Sequence, residues 1–235
     1  MKRSPSVARL LDIDWNDTGW PNSDADEYGK TALPLKALLS DSKNTRPAVV
    51  LFFDPSVDKE TAKEIEKQMF GDDKLVAATR FFSCFRIAIG DVPENEFKKK
   101  YLKRTPALIF MGSDGQVVGE ISGKRAQPRT ITSRLSKVFK DSYKGSLKRQ
   151  IGVFMDYLGK LEKIEDNVDV VKVKVKMLKD QLGRRETARK KKKLVEAEAE
   201  LVKATEELKA FKDRRDAEIM PVSKHASKDT IAKAR

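Results

Sequence analysis

Thiol, imidazole and carboxylate chemistry have few places to stand in this 235-residue chain. It holds one cysteine, Cys84, and one histidine, His225. A single thiol excludes an internal disulfide, a CxxC redox pair and a cysteine-rich zinc site. A single imidazole excludes metal clusters built on histidine. Cys84 stands in the run Phe81-Phe82-Ser83-Cys84-Phe85, where a buried thiol packs as a small hydrophobe with a raised pKa. His225 falls in a polar tail and reads as solvent-exposed. Asp54, Asp58 and Asp91 are able to gather at strand ends around a cation, but carboxylates also cap helices, and Asp58 stands where it would cap a helix beginning at Lys59. The glycines Gly112, Gly115, Gly119 and Gly123 lack the Gly-Lys-Ser/Thr ending of a phosphate loop. The chain is therefore read as non-catalytic, with no metal and no cofactor.

The elements that would position these groups follow from pattern. Residues 1–30 hold both tryptophans among turn formers and read as an irregular arm. Residues 31–145 alternate between strand and helix signals. Leu33 to Leu39 is a short helix candidate. Ala48 to Phe53 (AVVLFF) is a strand covered on both faces. Lys59 to Phe70 repeats Ala62, Ile65, Met69 and Phe70 at helical spacing, and Gly71-Asp72-Asp73 ends it. Phe81 to Ile89, Ala107 to Met111 and Gln116 to Ile121 read as strands, the last two joined through Gly112-Ser113-Asp114-Gly115. Glu94 to Leu102 and Thr130 to Phe139 read as helices.

Residues 146–218 carry a different rhythm. One apolar series runs Ile164, Val168, Val171, Val175, Leu178, Leu182, and a second runs Leu194, Ala197, Leu201, Ala204, Leu208, Phe211. Both have the spacing of a coiled-coil seam. The two are out of phase across Gly183. Either Gly183 caps a first helix and a second folds back as a hairpin, or one long helix passes through a stutter. Val171 to Lys176 alternates with period two, but the seam extends beyond it on both sides. Residues 219–235 read as a flexible tail.

Charged residues make up 36% of the chain, and its net charge is +13. Residues 141–235 carry 25 basic and 17 acidic groups, the larger share of that excess. Arg184, Arg185, Arg189, Lys190, Lys191, Lys192 and Lys193 form its strongest positive patch. Such a patch favours anionic partners, nucleic acid among them, without specifying a sequence. Arg9 and Asp12 break any apolar leader near the N-terminus, and no stretch approaches the roughly 18 apolar residues of a membrane span. The expectation is a cytoplasmic protein with no membrane partner.

The order of elements over residues 33–140 resembles the thioredoxin-like fold. Val49-Val50-Leu51-Phe52-Phe53 runs into a loop and a helix, as that family's active-site strand does. Thr105-Pro106 precedes Ala107-Leu108-Ile109-Phe110 as the family's cis-proline precedes its third central strand. Gly112 to Glu120 is similar to the closing hairpin. The resemblance implies an α/β fold, with a central sheet flanked by helices and followed here by the helical arm. It also implies a dithiol after the first of these strands, and this sequence departs from it: the two positions fall on or near Val57 and Glu60. What the resemblance leaves is a groove for an extended peptide, lined by Ser56, Val57, Thr105 and Pro106. The reading is a redox-inactive adaptor that binds protein through this groove and docks or self-associates through its arm. A nucleic-acid- or ribosome-associated protein using the basic helices is the alternative.

Overall fold

The computed structural model describes residues 3–20, 38–39, 46–184 and 186–224. They form two compact units. One holds residues 11–152 and the stretch from 221. The other holds the residues up to 10 together with 153–220.

In the first unit a five-stranded mixed sheet has the order β1-β3-β2-β4-β5. The strands are β1 (Trp15–Asp17), β2 (Ala48–Phe53), β3 (Ser83–Ala88), β4 (Ala107–Met111) and β5 (Val117–Ser122). β2 pairs parallel with β3, placing Val49 opposite Cys84 and Leu51 opposite Arg86. It pairs antiparallel with β4, Val50 facing Ile109. β5 returns antiparallel to β4. The fold is the α/β, thioredoxin-like arrangement that the sequence pointed to. The Thr105-Pro106 peptide bond is cis.

Strand alternation sends β2 into two cores. Ala48, Val50 and Phe52 join Phe85 and Ile87 of β3 and Ile109 and Met111 of β4 on one face. Trp20 covers that face, its ring 6.3 Å from Phe52 and 5.2 Å from Phe97. Phe97 belongs to the short helix α4 (Glu96–Tyr101). On the other face lie α2 (Lys59–Phe70), α3 (Asp73–Thr79) and α5 (Pro128–Ser142), with α5 against β4 and β5 and the other two against α5. Phe52, Phe81, Phe110 and Phe139 are fully buried, and truncating any of them to alanine costs about 3–5 kcal/mol.

The structure departs from the sequence reading in several places. The stretch read as an irregular arm contributes β1 at the sheet edge, parallel to β3 with Trp15 opposite Cys84. It also forms the helix α1 (Pro5–Leu10), which belongs to the second unit. Gly71-Asp72-Asp73 ends α2 and at once starts α3, because the Asp72 side chain accepts from the Lys74 backbone N–H at 2.8 Å. The helix expected at Leu33 to Leu39 lies outside the described residues apart from Leu38 and Leu39, and His225 lies outside them too. Part of the supposed flexible tail is docked: Lys144 N–H donates to the Val222 carbonyl at 2.9 Å and Lys224 N–H to that of Ser142 at 3.0 Å.

The second unit is a helical hairpin. α6 (Leu147–Arg184) enters it and α7 (Ala188–Asp213) runs back, followed by the short α8 (Arg215–Ile219). Of the two alternatives, the fold-back is the one realised. Gly183 is not its cap, however: α6 continues through it to Arg184, and Thr187 caps α7 by accepting from the Lys190 N–H. The seams meet within one chain. Val168, Val171 and Val175 are buried with Ala197 and Ala204, Tyr157 stacks on Phe211 at 4.7 Å, and Lys174 reaches Glu200 at 2.7 Å. The alternating valine–lysine run is thus helix, its Val171 and Val175 on the seam and Val173 exposed. α1 packs on this hairpin through buried Val7, with Ser4 N–H donating to Glu162 at 3.3 Å.

Tyr143 ties the end of α5 to the turn before β3: its hydroxyl donates to the Phe81 carbonyl at 2.9 Å. Burial pushes its phenol up to about 12. A phenol protonated more firmly in the folded chain than in the unfolded one stabilises fully below the unfolded value, and this contribution fades as pH rises towards 12. Tyr143→Phe is expected to lower stability by about 1 kcal/mol in urea titrations near neutral pH and to make the alkaline decline shallower. An unchanged urea midpoint counts against this role for the hydroxyl.

Candidate functional site

The C-terminal end of β2 opens onto a cavity of about 750 Å³. Leu51 and Phe53 point into it from the strand, Val57 from the loop that follows, and Ala62, Ile65 and Met69 from one face of α2. Their spacing of three and four residues is what puts three side chains of a helix on one wall. Thr105 and Pro106 close the cavity from the start of β4. A second cleft, of about 770 Å³, shares Ile65, Met69, Thr105 and Pro106 and extends towards Arg104, Gly123 and Gln127. Thr105 and Pro106 therefore border both spaces, with the Pro106 carbonyl taken by Gly123 N–H at 2.8 Å.

The loop between β2 and α2 is built by two aspartates. Asp54 accepts from the Ser56 N–H at 2.9 Å and from its hydroxyl at 2.6 Å, and these bonds lower its pKa. Asp58 caps α2: it accepts from the N–H groups of Thr61 at 2.9 Å and Glu60 at 3.1 Å and from the Thr61 hydroxyl at 2.7 Å. Its pKa falls through the bonds from Thr61 first. Both carboxylates are thus engaged in shaping the turn. Among the described residues, no three of His, Cys, Asp and Glu come together to hold a metal ion.

Of the four groove residues read from the sequence, Val57, Thr105 and Pro106 line the cavity. Ser56 does not: it is exposed, and its hydroxyl is spent on Asp54. Of the positions where the resemblance would place a dithiol, Val57 faces the cavity and Glu60 lies exposed in the first turn of α2. The basic residues belong to the helical unit. Arg184 ends α6, Arg189 to Lys193 occupy the opening turns of α7, and Arg185 lies outside the described residues.

The polar side of the cavity was not anticipated. Arg86 of β3 lies on its wall and grips Asp17 with two bonds, at 2.6 and 2.9 Å. The fork lowers the Asp17 pKa, chiefly through the hydrogen bonds themselves, and raises that of Arg86. Glu66 stands 3.8 Å from the same guanidinium and accepts the Trp15 indole N–H. The guanidinium also lies 5.7 Å from the centre of the Phe53 ring. One signal was present in the sequence: Arg86 is the only charge in the run Phe81 to Ile89. The site so assembled is an apolar trough with an ionic edge.

Cys84 is apart from this. It is buried in β3, its Sγ 3.7 Å from the Thr79 carbonyl, and desolvation pushes the thiol from 9.0 up to about 12. A thiol so held is unreactive at neutral pH. Disulfide reagent at about pH 8 is expected to leave it unmodified in the native chain and to titrate it promptly in denaturant. Rapid native reaction would place the sulfur at the surface.

No protein-family model matches the sequence, and no curated protein resembles it closely enough to count as a match. Among solved structures, a chain from a study of the thiol-resolving mechanism of yeast mitochondrial 1-Cys peroxiredoxin via the glutathione/thioredoxin systems aligns at 21% identity with a TM-score of 0.30, covering 46% of this chain and 89% of that one.

Proposed function

We propose that the chain is a protein-binding module: a thioredoxin-like unit that holds an extended peptide without dithiol chemistry, joined to a helical docking arm. The observation that carries this reading is the trough at the end of β2, with Val57 in its wall where a nucleophile would otherwise act and with Ile65, Met69 and Pro106 beside it. Apolar burial of about 25 cal/mol per Å² lets such a surface hold a few side chains of a partner. No thiol is available at its mouth to exchange with a disulfide. The role of the arm rests on its outer surface, since its seam is filled by its own second helix. Val170, Val173 and Met177 recur at helical spacing on α6 and are exposed at 66%, 58% and 56%. Among the described residues no helix is long and apolar enough to cross a membrane.

Random peptides displayed on phage and selected on the full chain test the groove. Enrichment of apolar sequences is expected, with affinity falling about tenfold or more in Ile65→Glu and in the loop variant Val57→Arg, roughly 1.4 kcal/mol each. Melting curves confirm that both variants fold. If no peptide is enriched, or if both variants bind as the parent does, the groove is not the binding surface. In parallel, the chain is expected to leave the rate of insulin reduction by dithiothreitol unchanged; acceleration would make it a redox enzyme.

A further inference from the structure

The charges of the helical unit are unevenly spread. Along the body of the hairpin four lysines are paired, Lys172 with Asp169 at 3.1 Å, Lys174 with Glu200 at 2.7 Å, Lys179 with Glu198 at 2.9 Å and Lys212 with Glu165 at 2.8 Å, and Lys160, Lys163, Lys176, Lys203 and Lys209 are exposed but interleaved in sequence with Asp and Glu. At the connection basic residues outnumber acidic ones most strongly. Residues 184–193 hold seven basic groups and one acidic group, a net +6 of the chain's +13 in ten residues. The acidic one, Glu186, is taken by Lys191. Lys190 donates to the Gln181 carbonyl at 3.1 Å. Arg189, Lys192 and Lys193 are exposed and have no partner among the described residues.

Their place in the helix sharpens the point. Residues 189, 192 and 193 are three and four apart and share a face. They stand in the first two turns of the 26-residue α7, which has no acidic residue in its first turn. That end of a helix carries the positive pole of its dipole and favours anions. The chain thus gathers cations where the backbone already opposes them, an arrangement that a bound polyanion relieves twice over. Residues 189 to 193 span about 6 Å of helix axis, over which duplex DNA carries roughly three to four phosphate charges. Residues 184–193 contain no aromatic side chain to stack on bases, and Ala188 is their only apolar residue, so nothing there inserts into a bilayer.

We propose that the Arg189, Lys192 and Lys193 face at the hairpin connection binds the phosphate backbone of nucleic acid without regard to sequence. It acts by counterion release.

The test uses the full chain, a labelled mixed-sequence DNA duplex of about 20 base pairs, and fluorescence anisotropy over a salt series. The logarithm of affinity is expected to fall with that of salt at a slope of about −3, roughly 60-fold between 50 and 200 mM. The triple variant Arg189→Gln, Lys192→Gln, Lys193→Gln is expected to lose most of that slope and about tenfold or more of the low-salt affinity. Its melting temperature should stay level or rise, because cations have left the positive end of α7. No duplex binding at low salt, or binding that the triple variant leaves intact, overturns the proposal. So does tighter binding to vesicles containing phosphatidylserine, which would make the face a membrane contact, or to poly-glutamate, which would make it a site for acidic protein.

Discussion

β2 has no face left for water. Five of its six residues are buried, and Phe53, at its end, is half-buried. A strand covered on both sides obliges the chain to supply two apolar layers. One comes from Trp20 and Phe97, and the other from the helices packed on the opposite face. The strand also has to end somewhere, and where it ends the helix layer has not yet closed. The trough beside Thr105-Pro106 is the space left between the last residues of β2 and the inner wall of α2. Fold and groove therefore share one cause, the burial of a single central strand.

The ionic edge of the trough follows from the same sheet. β1 lies parallel to β3 with Asp17 opposite Arg86. This register sets carboxylate and guanidinium side by side at the rim, where the two charges meet without being carried into the core. Their side chains remain 66% and 33% exposed, so solvent screens the pair and it adds little to stability. Its effect is geometric: it orients Arg86 over Phe53 and pins the short edge strand.

How much of this could be read from residues alone varied with the locality of the signal. β2, α2 and β4 matched their expected bounds, because a continuous apolar run and a helical repeat each declare themselves within a few residues. The seam of the hairpin was legible for the same reason, whereas the choice between fold-back and long helix depended on pairing between residues far apart, such as Lys174 and Glu200. β1 was missed because Trp15–Asp17 has no alternation of its own and becomes a strand only through Cys84 to Arg86. Ser56 was misplaced because one local bond, to Asp54, turns its hydroxyl aside from the groove. Asp17, Glu66 and Arg86 lie far apart in the chain and meet only once β1 and α2 are set beside β3.

The short return of the chain at Val222 and Lys224 gives the arm an unusual topology. The polypeptide leaves the sheet-bearing unit after residue 152 and comes back at 221, where main-chain bonds to Ser142 and Lys144 hold it. The hairpin is thus an excursion fastened at two points rather than a tail hung from one. A protease nick anywhere along it would leave both fragments anchored, and simple truncation would strip away a strip of backbone that the sheet unit uses. Excision with a short splice, not shortening, is the cut that respects this wiring.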